Sequence, residues 1–406
     1  MLSLKLAWRN LFRNTRRTLL TCILVSSALI VLILVDGLTL GMVNVMVGSL
    51  THTLEGEAQI NRKGFRDNYE TELVIESPAE VQAALAAADE VAGFAPRAIV
   101  GGMIASPYNT TGGLVYGVDA AAEVGVSRIR EAIYEGDYLT GARRELLLGK
   151  LMAELLEVKL GDRIIITAAE ANTGEITQEL FRATGFLEFG PEELDENLAF
   201  INLADAQALL GLDNDIHQIA IRFKNPEDAN LPGLPILTRL NQGGNEALGW
   251  LALQPSLGAI IEMTNYSTAI VGAILFVLTS LGVINSMFMS IYERIYEFGV
   301  VKSMGTRPRQ VLQLVLFEAL FLALLACAAG IALGFLASSW FAAFGLPIGE
   351  MEFSGVVLDG RVKVMVAAYQ FVNFPVYVIL LTVAAAIYPG VFAARIAPTR
   401  ALQRTL

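Results

Sequence analysis

The residues best suited to specific binding chemistry lie in one short segment between two long apolar stretches. It contains Glu293, Arg294, Glu297, Phe298, Gly299, Lys302 and Gly305. Glu293 and Glu297 lie one helical turn apart, and Gly305 is followed by Thr306-Arg307-Pro308, which is typical of a helix stop. We therefore predict a short rigid helix, up to Met304, that a partner protein can bind. A plain connecting loop is the alternative, because loops of mixed charge are common.

Patterns that would indicate an active site are missing from the sequence. It has no G-x-x-x-x-G-K-[ST], G-x-S-x-G or H-E-x-x-H motif; the closest stretch to the first ends Gly149-Lys150-Leu151. His52 and His217 are far apart in sequence, and Cys22 and Cys327 both lie in apolar runs. This disfavours a histidine- or cysteine-based metal site and a disulfide framework. We predict a chain that is not an enzyme and holds no cofactor or metal.

Composition divides the 406 residues into an apolar part and an acidic part. Hydrophobic residues make up 54% and charged residues 17%, against about 25% charged in an ordinary soluble domain. The stretch from Gly48 to Thr264 holds 33 Asp/Glu and 15 Lys/Arg, whereas the rest holds 7 and 14. This indicates an acidic, water-exposed domain carried on a basic membrane part. It argues against nucleic acid as a partner, since phosphate binding needs clustered Lys and Arg.

Four stretches are long and apolar enough to span a bilayer, which takes about 20 residues. Basic residues precede the first, lie between the second and third, and follow the fourth, which predicts that both termini and the middle loop are cytoplasmic. The predicted parts are 1–17 (interfacial helix), 18–47 (first span, extended as a stalk), 48–256 (external domain), 257–292 (stalk and second span), 293–309 (coupling helix), 310–344 (third span), 345–363 (external loop), 364–394 (fourth span) and 395–406 (cytoplasmic tail).

The predicted fold is therefore an α-helical membrane protein with four transmembrane helices and an α+β extracytoplasmic domain inserted between helices 1 and 2. In that domain, Ser77 is predicted to cap a helix that reaches Ala88. The predicted strands are 145–149, 163–167, 198–202 and 216–223, with helices after 149 and over 204–210. The stretch 230–249, rich in Gly and Pro, is expected to be a loop.

The amino-terminal residues have the pattern of a helix that lies in a membrane interface. Apolar residues share one face and basic residues lie off it: Leu4, Trp8, Leu11 and Phe12 against Lys5, Arg9 and Arg13. Trp8 would then sit at the level of the lipid headgroups. A basic flank that only orients the first span is the alternative, and the two are compatible.

Polar and small residues inside the spans are further candidates. Asp36 and Glu318 are costly in lipid, so each is expected to have a functional or a packing role. Gly330 and Gly334 form a small-xxx-small step that allows close helix packing.

The segment Glu293–Gly305 resembles the E-R-x-x-E-[FI]-G-x-x-[KR]-[AS]-[ML]-G signature of the MacB/FtsX-type ABC transporter permeases. The amino end Leu6–Thr18 and the tail Ala393–Leu402 are similar to the same family. Within the external domain, residues 135–139, 145–150, 160–162 and 197–211 are similar to its lipoprotein-releasing, LolC/LolE-like branch. The resemblance covers the whole chain.

The resemblance implies a permease subunit in a bacterial inner membrane that works by mechanotransmission. Two separate ABC ATPase subunits would bind ATP and Mg²⁺, and Glu293–Gly305 would be the coupling helix that docks on them. A second permease, identical or related, would complete the transporter. Lipoproteins or related lipidated cargo would pass from the membrane to a periplasmic carrier. Two alternatives remain: an FtsX-like signalling subunit that activates a cell-wall hydrolase, and a MacB-like efflux permease.

Overall fold

The computed structural model describes residues 2–230, 234–241, 243–347, 351–353, 356–358 and 361–397. The helices are α1 (Leu2–Leu11), α2 (Thr15–Leu50), α3 (Phe65–Asn68), α4 (Pro78–Ala86), α5 (Ala120–Glu123), α6 (Lys150–Leu155), α7 (Glu192–Asn197), α8 (Leu203–Leu210), α9 (Pro235–Leu240), α10 (Trp250–Leu253), α11 (Pro255–Glu293), α12 (Ile295–Ser303), α13 (Pro308–Phe344) and α14 (Asn373–Arg395). The strands are β1 (Ala58–Arg62), β2 (Val91–Ala105), β3 (Thr110–Val118), β4 (Ile133–Gly136), β5 (Glu145–Gly149), β6 (Arg163–Ala169), β7 (Ile176–Leu187), β8 (Leu198–Asn202), β9 (Gln218–Phe223), β10 (Asn245–Gly249), β11 (Leu346–Pro347), β12 (Met351–Phe353), β13 (Val356–Leu358) and β14 (Arg361–Val362).

Four of the described helical stretches are long and apolar enough to cross a membrane. They are Thr15–Glu55, Pro255–Glu293, Pro308–Phe344 and Ala368–Arg395. A buried apolar cluster draws on all four together with α1. The predicted fold class, four transmembrane helices with an α+β domain inserted after the first, is confirmed.

Two predicted boundaries of the membrane part are wrong. The fourth span does not begin at 364: a 3-10 turn covers Ala368–Phe371, and α14 begins at Asn373. Before that turn residues 363–367 form no helix, and the backbone N–H of Met365 donates to the carbonyl oxygen of Gly37 at 2.9 Å. The interfacial helix does not reach residue 17 either, since α1 ends at Leu11 and α2 begins at Thr15.

The chain divides into two compact units. The first comprises the described parts of Met1–Asn44, Ile261–Ile348 and Gly360–Leu406 and holds most of the spanning helices. The second, called the external unit below, comprises the described parts of Val45–Ile260 and Gly349–Asp359.

The external unit is organised by one ten-stranded sheet with the strand order β10-β1-β9-β2-β3-β8-β5-β7-β4. Strand β6 pairs with both β2 and β7, so that β2, β3, β8, β5, β7 and β6 close on themselves. The β3–β8 and β5–β7 pairings are parallel and the others are antiparallel. Closure leaves these six strands without a free edge. Buried side chains of this ring form one apolar cluster, which includes Ile104, Val115, Leu146, Ile166 and Phe181.

The sequence located several strands of this sheet but misjudged its last part. Strands β5 and β8 have the predicted bounds. The stretch 230–249 is not a plain loop, because it contains α9 and β10, and Ile236 and Leu240 of α9 are buried. Strand β10 forms only by pairing with the distant β1. Ser77 does not cap α4: its φ is +49° and its side chain makes no capping hydrogen bond.

A buried polar network ties the chain that follows α2 to the sheet. Arg97 on β2 is fully buried and donates to both carboxylate oxygens of Glu123, at 2.5 and 3.2 Å. It also donates to the carbonyl oxygen of Leu54 at 2.7 Å and to the side-chain oxygen of Gln218 at 3.0 Å. Gln218 in turn donates to Gln59 at 2.9 Å. Because a buried charge is costly without partners, this network fixes the backbone at Leu54.

His217 is a second buried polar group of the external unit. Its Nδ1 accepts the backbone N–H of Ile99 at 2.9 Å, so Nε2 carries the proton and donates to the carbonyl oxygen of Thr71 at 3.0 Å. The ring stacks on Phe65 with centroids 5.0 Å apart. Burial lowers the pKa of His217 below its ordinary value, so the imidazole is neutral in the folded protein.

Replacing Arg97 should destabilise the external unit strongly. Arg97→Met leaves the Glu123 carboxylate buried without its cation, which should lower the free energy of unfolding by about 3–5 kcal/mol. Thermal unfolding of the purified chain, followed by circular dichroism, measures this loss. Arg128→Met is the control, since the Arg128–Glu131 pair is exposed on both sides and should contribute less than about 1 kcal/mol. Equal effects of the two substitutions would contradict the assignment.

The external unit should also lose stability in mild acid. Below about pH 6.5 the unfolded chain binds a proton at His217 that the folded chain does not. The free energy of unfolding should therefore fall by up to about 1.4 kcal/mol for each pH unit until the depressed folded-state pKa is reached. Unfolding measured at pH 7.5 and 5.5 should show the loss in the native chain and in His52→Gln, and a smaller loss in His217→Gln. An unchanged loss in His217→Gln would exclude His217 as its source.

Candidate functional site

The predicted helix between the second and third spans is α12. It is separated from α11 by Arg294, whose φ of −112° interrupts the helical path. It ends where Gly305 adopts a φ of +96°, and the backbone N–H of Thr306 reaches back to the carbonyl oxygen of Val301 at 3.3 Å. A left-handed glycine is the usual way to end a helix, and open space surrounds the position of a Cβ at Gly305. The helix thus ends within one residue of the prediction.

Three of the predicted residues face the protein interior. Phe298 is 4% exposed and belongs to the same apolar cluster as Leu11 and Val311, and Gly299 beside it is also buried. The ammonium of Lys302 donates to the carbonyl oxygens of Ala394 at 2.8 Å and Ile396 at 2.6 Å, at the end of α14. These residues attach α12 to the other helices.

The two acidic residues of the segment are paired with arginines near the amino terminus. Glu293 accepts from Arg17 at 2.8 Å and from the side-chain amide of Asn14 at 3.1 Å. Glu297 forms an ion pair with Arg13 and accepts from Arg294 at 3.3 Å. The acidic groups therefore serve contacts within the chain.

Glu318 on α13 lies beneath these pairs and is 5% exposed. Its carboxylate accepts from Arg294 at 3.2 Å and from the Ser290 hydroxyl at 3.4 Å, and Arg17 approaches it to 4.0 Å. Arg17 also donates to Ser290 at 2.9 Å. Removing one partner of such a buried pair typically costs about 3–5 kcal/mol. Glu318 thus joins the start of α2, the end of α11 and the start of α13.

The hydrogen bond from Arg13 lowers the pKa of the Glu297 carboxyl, and the hydrogen bond from Arg294 acts in the same direction. Glu297 is therefore ionised at neutral pH, and its two arginine contacts stay charge-assisted. The pairing with Arg13 is open to solvent, with 57% of the arginine and 41% of the glutamate side chain exposed. An exposed pair of this kind contributes about 0–1 kcal/mol.

Several apolar side chains of the segment are exposed. Tyr296 is 50% exposed, Val301 44% and Met304 82%. Tyrosine and methionine are enriched in protein interfaces. These three side chains are therefore candidates for contact with a partner protein.

The predicted interfacial helix has a different buried face from the one expected. Leu11 does not share the outer apolar face; with Ala7 it is buried, and α1 packs on α13. Trp8 is 44% exposed and contacts Phe12 and Phe321 edge-on, with ring centroids 5.2 and 5.3 Å apart. Arg9 is exposed and forms no ion pair within the described residues. The exposed apolar face is compatible with lipid contact.

Asp36 and the two glycines of α13 lie in helix packing contacts of α2. Asp36 accepts hydrogen bonds from the Tyr369 hydroxyl and the Gln370 amide, both at 2.7 Å. A Cβ at Gly330 would approach Leu29 to 2.9 Å, and one at Gly334 would approach a methyl group of Ile33 to 3.0 Å. The small residues therefore allow α13 to lie close to α2, as a small-xxx-small step does.

Sequence reasoning assigned the amino-terminal arginines to membrane orientation and missed their ion pairs. A signal was present: Arg13 and Arg17 are four residues apart, as are Glu293 and Glu297. The structure pairs them in the antiparallel sense, Arg13 with Glu297 and Arg17 with Glu293.

No group of three or more potential metal ligands occurs within the described part of the chain. The external unit has a cleft of about 860 Å³ that the sequence did not indicate. Its lining includes Tyr69, Tyr116, Arg128, Glu188 and Phe189.

The chain is similar to two family models and to several known proteins. Residues 18–231 match the model of the MacB-like periplasmic core domain, and residues 269–398 match that of the FtsX-like permease C-terminal. The lipoprotein-releasing system transmembrane protein LolC of Xylella fastidiosa (strain Temecula1 / ATCC 700964) is 23% identical over 71% of this chain and 72% of its own length. The ABC transporter permease YknZ of Bacillus subtilis (strain 168) is 25% identical over 50% of each chain. A crystal structure of the extracellular domain of YknZ from Gram-positive bacteria matches 47% of this chain and 98% of that domain, with a TM-score of 0.34 and 13% identity.

The two family models cover the helices and the external unit in the order found here. The MacB-like match alone spans more than half of the 406 residues. The resemblance noted in the sequence is confirmed at the level of the family. The chain is a multi-pass membrane protein that belongs to the MacB/FtsX-type ABC transporter permeases.

Proposed function

We propose that the chain is the permease subunit of a lipoprotein-releasing transporter. The observation that carries the proposal is the similarity to LolC over 71% of this chain, together with the two family matches. The cargo is a lipoprotein or a related lipidated molecule, taken from the inner membrane of a bacterium and passed to a periplasmic carrier. The chain itself performs no hydrolysis.

Family membership implies an ATPase partner and a dimeric permease. Two ATPase subunits bind ATP and Mg²⁺ and drive the cycle, and a second permease, identical or related, completes the transporter. The segment Glu293–Gly305 is the docking element for the ATPase. Its exposed residues Tyr296, Val301 and Met304 support this assignment, because they provide an apolar surface outside the helix bundle.

Mechanotransmission fits the lengths of the first two spanning helices. Helix α2 has 36 residues and α11 has 39, which correspond to about 54 and 58 Å at 1.5 Å per residue. The hydrocarbon core of a bilayer is about 30 Å thick. Both helices therefore extend well beyond it, and a rigid helix carries a displacement at its inner end to its outer end.

The basic ends of the spans support an orientation with both termini in the cytoplasm. Lys5, Arg9 and Arg16 are exposed and form no ion pair within the described residues. Positive charge of this kind is retained on the cytoplasmic side of a membrane. It is also attracted to anionic lipid headgroups.

Substituting the most exposed residue of the docking face should weaken binding of the ATPase. Met304→Glu places a charge in the contact that a partner must desolvate, so the amount of ATPase that copurifies with the chain should fall about tenfold or more. The measurement is quantitative mass spectrometry after gentle detergent extraction. Met103→Glu is the matched control, because Met103 is 54% exposed in the external unit and should leave ATPase recovery unchanged. Full recovery with Met304→Glu would exclude this face as the docking site.

Depletion of the chain should trap lipoproteins in the inner membrane. Because the proposed cargo leaves that membrane only through the transporter, fractionation of depleted cells should show lipoproteins shifted from the outer to the inner membrane. Normal lipoprotein distribution with failed cell separation would instead support a signalling subunit that activates a wall hydrolase. Normal distribution with sensitivity to exported small molecules would support an efflux permease.

A further inference from the structure

We propose that Arg13 and Arg17 are positioning residues of the docking segment. They hold its first residues: Arg13, in the turn between α1 and α2, pairs with Glu297 of α12, and Arg17, in the first turn of α2, pairs with Glu293 at the end of α11. The inference deepens the proposed function and rests on it in one respect, that α12 is the element to which the ATPase binds. The ion pairs themselves are independent of that assignment.

The first argument is the geometry of the two pairs. Arg13 and Arg17 are spaced four residues apart along the chain, and so are Glu293 and Glu297. The two sets pair in the antiparallel sense, so two separate ion pairs join residues 13–17 to residues 293–297. A single pair leaves the two stretches of chain free to rotate about the contact, whereas two pairs restrain that rotation.

The second argument is that α12 is not continuous with the helices before and after it. Its path is interrupted at Arg294 on one side, and Gly305 ends it on the other. Side-chain contacts must therefore set its orientation. On its inner side these are Phe298 and Lys302, and the ion pair of Arg13 with Glu297 links α12 to the amino-terminal residues.

The third argument concerns the unequal burial of the two arginines. Arg17 has 17% of its side chain exposed and contacts Glu293, Ser290 and Glu318. Arg13 has 57% exposed and contacts Glu297 as its one ion-pair partner among the described residues. Solvent screens an exposed pair, so Arg17 holds the segment more firmly than Arg13. Substitution of Arg17 should have the larger effect.

Through these ion pairs, a force that the ATPase applies to the docking segment also acts on the amino-terminal residues. A displacement of the segment Glu293–Gly305 by the ATPase pulls, through Glu293, on Arg17 in the first turn of α2. Helix α2 is continuous from Thr15 to Leu50. Arg17 thus gives the segment a direct connection to the first span, in addition to its covalent connection to the second and third.

The test is hydrogen–deuterium exchange of the full-length chain in lipid nanodiscs, measured on peptides that cover Glu293–Gly305. Arg17→Met should raise exchange in this segment about tenfold, because its local opening no longer has to break the pair with Glu293. Glu293→Gln should raise exchange by a similar factor. The double variant should exchange little faster than either single variant, since both substitutions remove the same interaction. Arg13→Met, Glu297→Gln and their double variant form a second double-mutant cycle. Because this pair is exposed, its substitutions should raise exchange by a smaller factor.

Arg16→Met is the matched control, because Arg16 is an exposed neighbour with no ion pair among the described residues, and exchange in Glu293–Gly305 should not change. Arg17→Lys keeps the charge but loses the planar fork, so it should restore part of the protection. Exchange in β2 of the external unit should stay constant in every variant, which separates positioning from global destabilisation.

Additive effects in both cycles, or equal exchange in Arg17→Met and Arg16→Met, would overturn the inference. Failure of the proposed function has a different signature. In that case the exchange cycles behave as expected, while Met304→Glu leaves recovery of the ATPase unchanged.

Discussion

The membrane part depends on one buried carboxylate, that of Glu318. A charge in an apolar helix is costly, and its cost falls only where cations and hydrogen-bond donors surround it. Here Arg294, Arg17 and Ser290 fulfil that role, and each comes from a different turn or helix than Glu318 itself. The inner ends of α2, α11 and α13 must therefore meet at this point. Three arginines and three glutamates make up the cluster around it, so its formal charge is zero.

The first span is restrained along its whole length by three different interactions. At its inner end Arg17 pairs with Glu293. In its middle, Gly330 and Gly334 of α13 allow close packing of the two helices, and towards its outer end Asp36 accepts hydrogen bonds from neutral donors. Helix α11, by contrast, has long exposed apolar stretches, which include Ile270, Ile274 and Leu278. Of the four spanning stretches among the described residues, α11 thus buries the smallest share of its apolar window, 17%.

The sequence allowed prediction of those features that depend on local pattern. Apolar runs longer than a bilayer gave the four spans, and β5 and β8 have the bounds that their short apolar runs indicated. Features that depend on distant partners were missed. Strand β10 needs β1 to exist, and closure of the six-stranded ring depends on β6 pairing with two strands at once. The non-helical stretch before the fourth span contacts the distant α2 through the hydrogen bond from Met365 to Gly37.

The same limit applies to the candidate site, and it shows why charge near a span is hard to interpret from sequence. A basic flank orients a membrane protein whether or not its arginines have partners, so composition alone cannot separate Arg16 from Arg17. Only the structure distinguishes them: Arg16 is exposed and Arg17 contacts Glu293 and Ser290. The acids of the segment Glu293–Gly305 are paired with Arg13 and Arg17. Under the proposed function, a partner would therefore meet the exposed side chains of Tyr296, Val301 and Met304, while the charges hold the segment in place.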